Sequence, residues 1–210
     1  MTVELYSAIT QYGTVFATNL CMQDPHKFVD WTEDNFDYVQ YNPRKTIARK
    51  GLSLTSLDGR VSGIPDLDSL VEYNKENNTT HYERDFTTYT PVSEHQDVQR
   101  VIAPFRDHLF RSHIIRLDPG GFFPAHRDFR GIEFDSFRLL VPLKNCDPPQ
   151  FTFVIDGKIY EWELGRVYFI DTVKMHYLFN ASTKPTYFIV LNVDLNLDTV
   201  NFCTNNLKYC

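Results

Sequence analysis

The chain has 210 residues, a length that suits one domain with a sizeable core. Its 21 Lys and Arg stand against 27 Asp and Glu, a formal net charge of −6 with no long run of either sign. Proteins that hold nucleic acid or anionic membranes carry a basic footprint, so neither is expected as a partner.

In chain order, "MTVELYSAITQYG" has no basic segment ahead of an apolar block, so no secretory signal is expected. No apolar run nears the ~20 residues of a membrane span. Residues 24–39 open on Asp24-Pro25 and suit a helix. Residues 64–78 suit another, with Pro65 near its first turn, Asp66 and Asp68 at the positive end of the dipole, and Leu67, Leu70 and Val71 on one face. A third is expected over 93–110. It has Ser93 as N-cap, Val98, Val101, Ile102 and Phe105 on one stripe, and Pro104 to bend or end it.

After residue 110 the pattern changes to short apolar segments between strong turn signals. "RSHIIRL" precedes Asp118-Pro119-Gly120-Gly121, and "FRLLVPL" precedes Asn145-Cys146-Asp147-Pro148-Pro149. "FTFVI" and "KIYEW" flank Asp156-Gly157, a two-residue hairpin signal. "RVYFID" and "TYFIVLNVDL" follow, with a loop around His176 between them. About seven strands in such a span read as a mainly β, α+β domain: a sandwich or barrel with N-terminal helices packed against it. One domain is expected, with residues 1–110 a mixed part that shapes a substrate site, 111–195 the β core and 196–210 a tail. Cys21, Cys146, Cys203 and Cys210 form no C-x-x-C pair and read as reduced thiols in a cytoplasmic protein.

"GGFFPAHRDF" places His126 and Asp128 two apart, on the same side if they share a strand. Their Cα atoms would then lie about 6–7 Å apart, a reach that suits two neighbouring positions on one ion. H-x-D also arises by chance, so the pair needs a third ligand. His176 in "DTVKMHYLFN" supplies one if the strands wind into a double-layered barrel, where the end of a late strand returns beside an early one. Two histidines and one carboxylate make the facial triad of non-haem Fe(II) oxygenases, which leaves three positions open. Zinc would more often be held in a closed tetrahedron or by cysteine. His26, His81, His95 and His108 read as surface or satisfied core residues, whereas His113 has the parity to enter the barrel.

Taken together, "PGGFFPAHRD", "FRLLVPL" and "GRVYFIDTVKMHYLFNAS" resemble the aspartyl/asparaginyl β-hydroxylase-like group of Fe(II)/2-oxoglutarate-dependent oxygenases, which includes hydroxylases of free amino acids such as proline. The resemblance spans roughly 111–195. It implies a double-stranded β-helix (jelly-roll, cupin-like) that holds Fe(II) with His126, Asp128 and His176, takes 2-oxoglutarate as co-substrate, and uses O2. It also implies hydroxylation of an amino-acid side chain, free or within a peptide, with release of succinate and CO2.

For the far carboxylate of 2-oxoglutarate, Arg138 falls where the family carries one arginine, and a guanidinium fork suits that contact. The family's second arginine, about ten residues after the distal histidine, is here Thr186. Lys184 can replace it, Arg138 can suffice, or the co-substrate site is altered. Asp171 matches the family's Phe-Asp element, either orienting His176 through its other N–H or capping the turn. Arg127 and Arg130, beside the metal mouth, are candidates for a substrate carboxylate or plain solvated cations. The competing readings are a non-catalytic cupin-type metal-binding barrel and a metal-dependent isomerase or hydrolase on the same barrel.

Overall fold

A computed structural model of the chain describes residues 2–128 and 135–208. Its helices are α1 (Thr2–Thr10), α2 (Pro25–Asn35), α3 (Leu70–Asn77), α4 (Gln96–Ile102) and α5 (Leu197–Asn205). The strands of the first half are β1 (Val15–Cys21), β2 (Val39–Gln40), β3 (Arg49–Ser53), β4 (Thr55–Ser56) and β5 (Thr88–Tyr89). Those of the second half are β6 (His113–Leu117), β7 (Phe122–His126), β8 (Ser136–Lys144), β9 (Phe151–Ile155), β10 (Lys158–Ile159), β11 (Arg166–Ile170), β12 (His176–Asn180) and β13 (Thr186–Asp194).

The strands form a seven-stranded sheet in the order β1-β11-β8-β13-β6-β3-β2, a four-stranded sheet in the order β10-β9-β12-β7, and a short β4-β5 pair. Apart from the β9-β10 hairpin, which stays in the smaller sheet, strands β6 to β13 alternate between the two larger sheets, which is the winding of a double-stranded β-helix. All pairings in these sheets are antiparallel. The mainly β, cupin-like architecture expected from the sequence is therefore present.

The turns that drive this winding were visible as residue types. Asp156 and Gly157 both take positive φ (51° and 77°), the requirement of the tight hairpin that pairs Lys158 with Ile155. Before β7, Gly120 takes φ 78°, and a Cβ at Gly121 would collide with the carbonyl of Ala48.

The first half supplies strands as well as the expected helices. It adds β1 to one edge of the large sheet and β3 and β2 to the other. α2 forms as expected, with the Asp24 side chain accepting from the Lys27 amide, and it buries Phe28, Val29 and Thr32. The second helix starts later than expected, at Leu70 with Ser69 as N-cap, so Pro65 lies outside it. In the third, Ser93 lies in a short 3-10 turn and the cap is His95, whose side chain accepts from the Asp97 amide. Pro104 ends the α-helical stretch as expected, since the chain continues in 3-10 form from Ala103. The expected tail carries α5, capped by Asn196 and packed near α1.

Two cores result. One lies between the outer face of the large sheet and the helices, and includes Ile9, Phe28, Val101, Phe105, Phe137, Phe169 and Ile189. The other lies between the two sheets and includes Ile115, Leu117, Leu140, Phe151, Phe153, Tyr168 and Phe188. No described helix is long and apolar enough to cross a membrane.

Candidate metal centre

β7 and β12 pair with His126 directly opposite His176. Their ring centroids stand 4.2 Å apart. The Nδ1 of His126 lies 2.6 Å from the Pro124 carbonyl, and that of His176 lies 3.0 Å from the Lys174 carbonyl. A carbonyl only accepts, so each Nδ1 carries the hydrogen and each Nε2 keeps its lone pair free.

Asp128 completes the group, although it sits two residues beyond the end of β7 rather than in the strand. Its amide donates to the Thr172 carbonyl, tying this stretch to the end of β11. The backbone there is open, while the carboxylate turns inward and is only 21% exposed. Asp128 Oδ1 stands 3.5 Å from His126 Nε2 and 3.7 Å from His176 Nε2. One donor atom from each residue lies within 4.8 Å of the others. Neighbouring ligands on an ion bound at ~2.1 Å are about 3 Å apart, so this donor set fits a single small divalent ion.

Electrostatics keep the carboxylate ionised. Burial works against the charged carboxylate of Asp128, but His126, Arg138 and His176 together hold its pKa below the usual carboxylate range. The Asp128 carboxylate, which accepts from the protonated ring, raises the pKa of His126, whereas burial lowers that of His176.

The triad opens on a cavity of about 130 Å³ between the two sheets. Its wall is mixed: Arg138, His113, Arg111, Glu83 and Thr172 are polar, Ile115, Leu178 and Phe188 are apolar, and the rings of Phe123 and Phe153 lie against His126 and His176. Arg138 Nε lies 3.4 Å from the second oxygen of Asp128. Arg138 Nη1, His113 Nδ1 and Thr172 Oγ1 are buried and have no hydrogen-bond partner. Such atoms cost stability unless a ligand completes them, so three of them around one cavity mark a place for an oxygen-rich anionic group. Arg111 donates to Glu83 Oε1 and to the carbonyls of Asp66 and Asp68, which fixes its guanidinium in the wall.

The structure thus brings together His126, Asp128, His176, Arg138 and His113 of the residues singled out from the sequence. It does not bring Lys184 to them. That residue is exposed in the β12–β13 loop, where the side chain of Asn180 and the hydroxyl of Ser182 both donate to its carbonyl. Thr186 is fully buried and donates to the Asn145 carbonyl.

Asp171 does not orient His176. Its carboxylate accepts from the Tyr6 hydroxyl at 2.8 Å and the Val173 amide at 3.2 Å, so it caps the turn and anchors α1. Arg127 is exposed and outside the cavity wall, and Arg130 lies outside the described residues. Arg111 carries a sequence signal of its own: it stands two residues before His113, with the same parity. Tyr41 and Glu83 had none, because they reach the wall only through tertiary packing.

The sequence model of the aspartyl/asparaginyl beta-hydroxylase family matches residues 71–196, more than half of the chain. The chain belongs to this family. No curated protein sequence matches it. Among solved structures, an oxidoreductase of the 2OG-Fe(II) oxygenase family from Burkholderia pseudomallei is 13% identical, covering 93% of this chain and 91% of that one with a TM-score of 0.48. A viral collagen prolyl hydroxylase from Paramecium bursaria Chlorella virus-1 is 12% identical, covering 40% of this chain and 58% of that one, at a TM-score of 0.33. A predicted oxalate decarboxylase from Thermotoga maritima is 17% identical, covering 45% and 74%, also at 0.33. The family match starts at Val71, well before the β-helix core, so this hydroxylase family includes part of the first half as well.

Proposed function

We propose that this member of the hydroxylase family is an Fe(II)/2-oxoglutarate-dependent dioxygenase that hydroxylates an amino-acid side chain, free or within a peptide. The observation that carries the reading is the convergence of two Nε2 atoms and one carboxylate oxygen on a cavity with three unpartnered buried polar atoms in its wall. Fe(II) with the keto acid would supply O2 activation and C–H oxidation, with release of succinate and CO2.

The chain's own residues supply the remainder. The carbonyls of Pro124 and Lys174 fix the histidine tautomers, so no proton has to leave Nε2 before an ion binds. Arg138 keeps Asp128 ionised and turns a free Nη1 towards the cavity, where a co-substrate carboxylate would complete it. The apolar residues of the wall, among them Ile115, Leu178 and Phe188, would help to keep water from the reacting carbon.

The test is succinate formation by the purified protein with Fe(II), ascorbate, 2-oxoglutarate and a panel of amino acids and short peptides. Succinate that tracks hydroxylated product supports the reading. Its absence with every substrate, together with no anaerobic binding of 2-oxoglutarate, would overturn it. Arg138→Ala should raise the 2-oxoglutarate requirement by roughly 10- to 100-fold, the value of a charged hydrogen bond, and Lys184→Ala should leave it unchanged.

A further inference from the structure

The second arginine of the family is missing at Thr186, and neither Thr186 nor Lys184 is placed to replace it. The strand register supplies another cation. Thr186 on β13 pairs with Leu117 on β6, and Leu117 pairs with Arg49 on β3. Residues opposite each other in register share a face, so Arg49 projects to the same side of the sheet as Thr186, two strands away. That side is the space between the sheets, where Leu117 is packed.

Arg49 is 5% exposed. Its guanidinium lies 4.2 Å from the ring centroid of Phe123 and 5.2 Å from that of Tyr41. Both rings line the cavity; Arg49 itself does not. Among the described residues its side chain makes no hydrogen bond or ion pair, and its Nε is sealed from solvent without a partner. A buried cation without an acid is costly, and ring stacking offsets only part of the cost. Burial pushes its pKa down, as expected where no counter-charge answers it. Arg111 and Arg138, in contrast, each have a carboxylate within reach.

Phe123 links Arg49 to the triad, since its ring stacks on His126 with centroids 6.5 Å apart and carries the Arg49 guanidinium at 4.2 Å. A dicarboxylate held at the triad through its keto-acid end would have its far carboxylate within this neighbourhood. We propose that Arg49, from the first half of the chain, receives the far carboxylate of 2-oxoglutarate in place of the arginine absent at Thr186. Arg138 is then the cation of the metal end. The guanidinium has only to slide off the Phe123 ring to present its paired N–H groups, the fork that suits a carboxylate.

The assignment rests on the co-substrate reading above, and binding separates the two. Mn(II)-loaded protein is titrated calorimetrically with 2-oxoglutarate and with 2-oxobutyrate, a keto acid that lacks the far carboxylate. Wild-type protein should prefer 2-oxoglutarate. In Arg49→Gln, affinity for 2-oxoglutarate should fall by roughly 10- to 100-fold while that for 2-oxobutyrate stays put, so the preference collapses. Arg49→Lys, which keeps the charge and loses the fork, should retain part of the preference, and it carries the test if the Gln variant does not fold. Wild-type protein that binds neither keto acid overturns the co-substrate reading, and this assignment with it. A wild-type preference that survives intact in Arg49→Gln overturns the assignment alone and leaves Arg49 a cation held by its rings.

Discussion

The two large sheets enclose one cavity but are built to different rules. The seven-stranded sheet is covered on both faces: every residue of β8 and β13 is buried or half-buried. The four-stranded sheet is covered on one face only: β12 alternates buried and exposed residues, and Phe122, Tyr177 and Phe179 face outward. The covered sheet carries Arg138, His113 and Arg49, whose positions depend on packing. The half-open sheet carries His126 and His176, whose positions depend on two backbone carbonyls. Stability and metal binding should therefore separate when each sheet is perturbed in turn.

The largest effect should come from His176→Ala, which removes one of three ligands and should abolish binding of Fe(II) or Mn(II) with little change in the melting of the ligand-free protein. Full metal occupancy by elemental analysis in this variant, or in His126→Ala, would refute the triad. Next comes Phe169→Ala on the covered sheet. Phe169 is fully buried, stacks on Phe16 at 4.9 Å and touches Tyr6 and Phe137. Its truncation should cost about 3–5 kcal/mol in denaturant unfolding, and a loss below about 1 kcal/mol would mean that this face is loosely packed.

A smaller effect concerns pH. Burial, and then Arg111 and Arg138, hold His113 well below its usual pKa, so the folded chain refuses a proton that the unfolded chain takes up near pH ~6.5. The unfolded state binds more protons below that point, so stability falls as the pH drops from about 7 towards 5. His113→Gln should flatten this decline, and chemical denaturation at several pH values reads it directly. An unchanged slope would remove His113 from the account. The smallest effect is expected at Phe179→Ser on the open face of β12, within about 0.5 kcal/mol of wild type.

The two sheets also differ in how much of them could be read from the chain. Segments such as "FRLLVPL" and "TYFIVLNV" are continuous apolar runs that announce buried strands. The Asp156-Gly157 turn and the Pro119-Gly120-Gly121 turn fixed two reversals by residue type alone. The triad was legible because His126 ends β7, Asp128 follows two residues later, and His176 opens β12, the strand that pairs with β7. β1 and β3 were not, because "VFATNLC" and "RKGLS" interleave polar residues and a glycine with their apolar ones, and pairing supplies what propensity does not. Lys184 lies outside the cavity wall although it is near Thr186 in sequence, because the Asn180 side chain bridges the Leu117 and Lys184 carbonyls and holds that loop as a closed turn. Arg49 gave no sign, since its proximity to Thr186 exists only across three strands.

The direct pairing of His126 with His176 has one more consequence. These residues lie far apart along the chain but face each other across one ladder. An ion held by both is therefore a reversible cross-link that closes a long loop, at the least covered part of the barrel. The melting temperature should climb with the logarithm of free divalent metal, and β7 and β12 should show the greatest gain in amide-exchange protection.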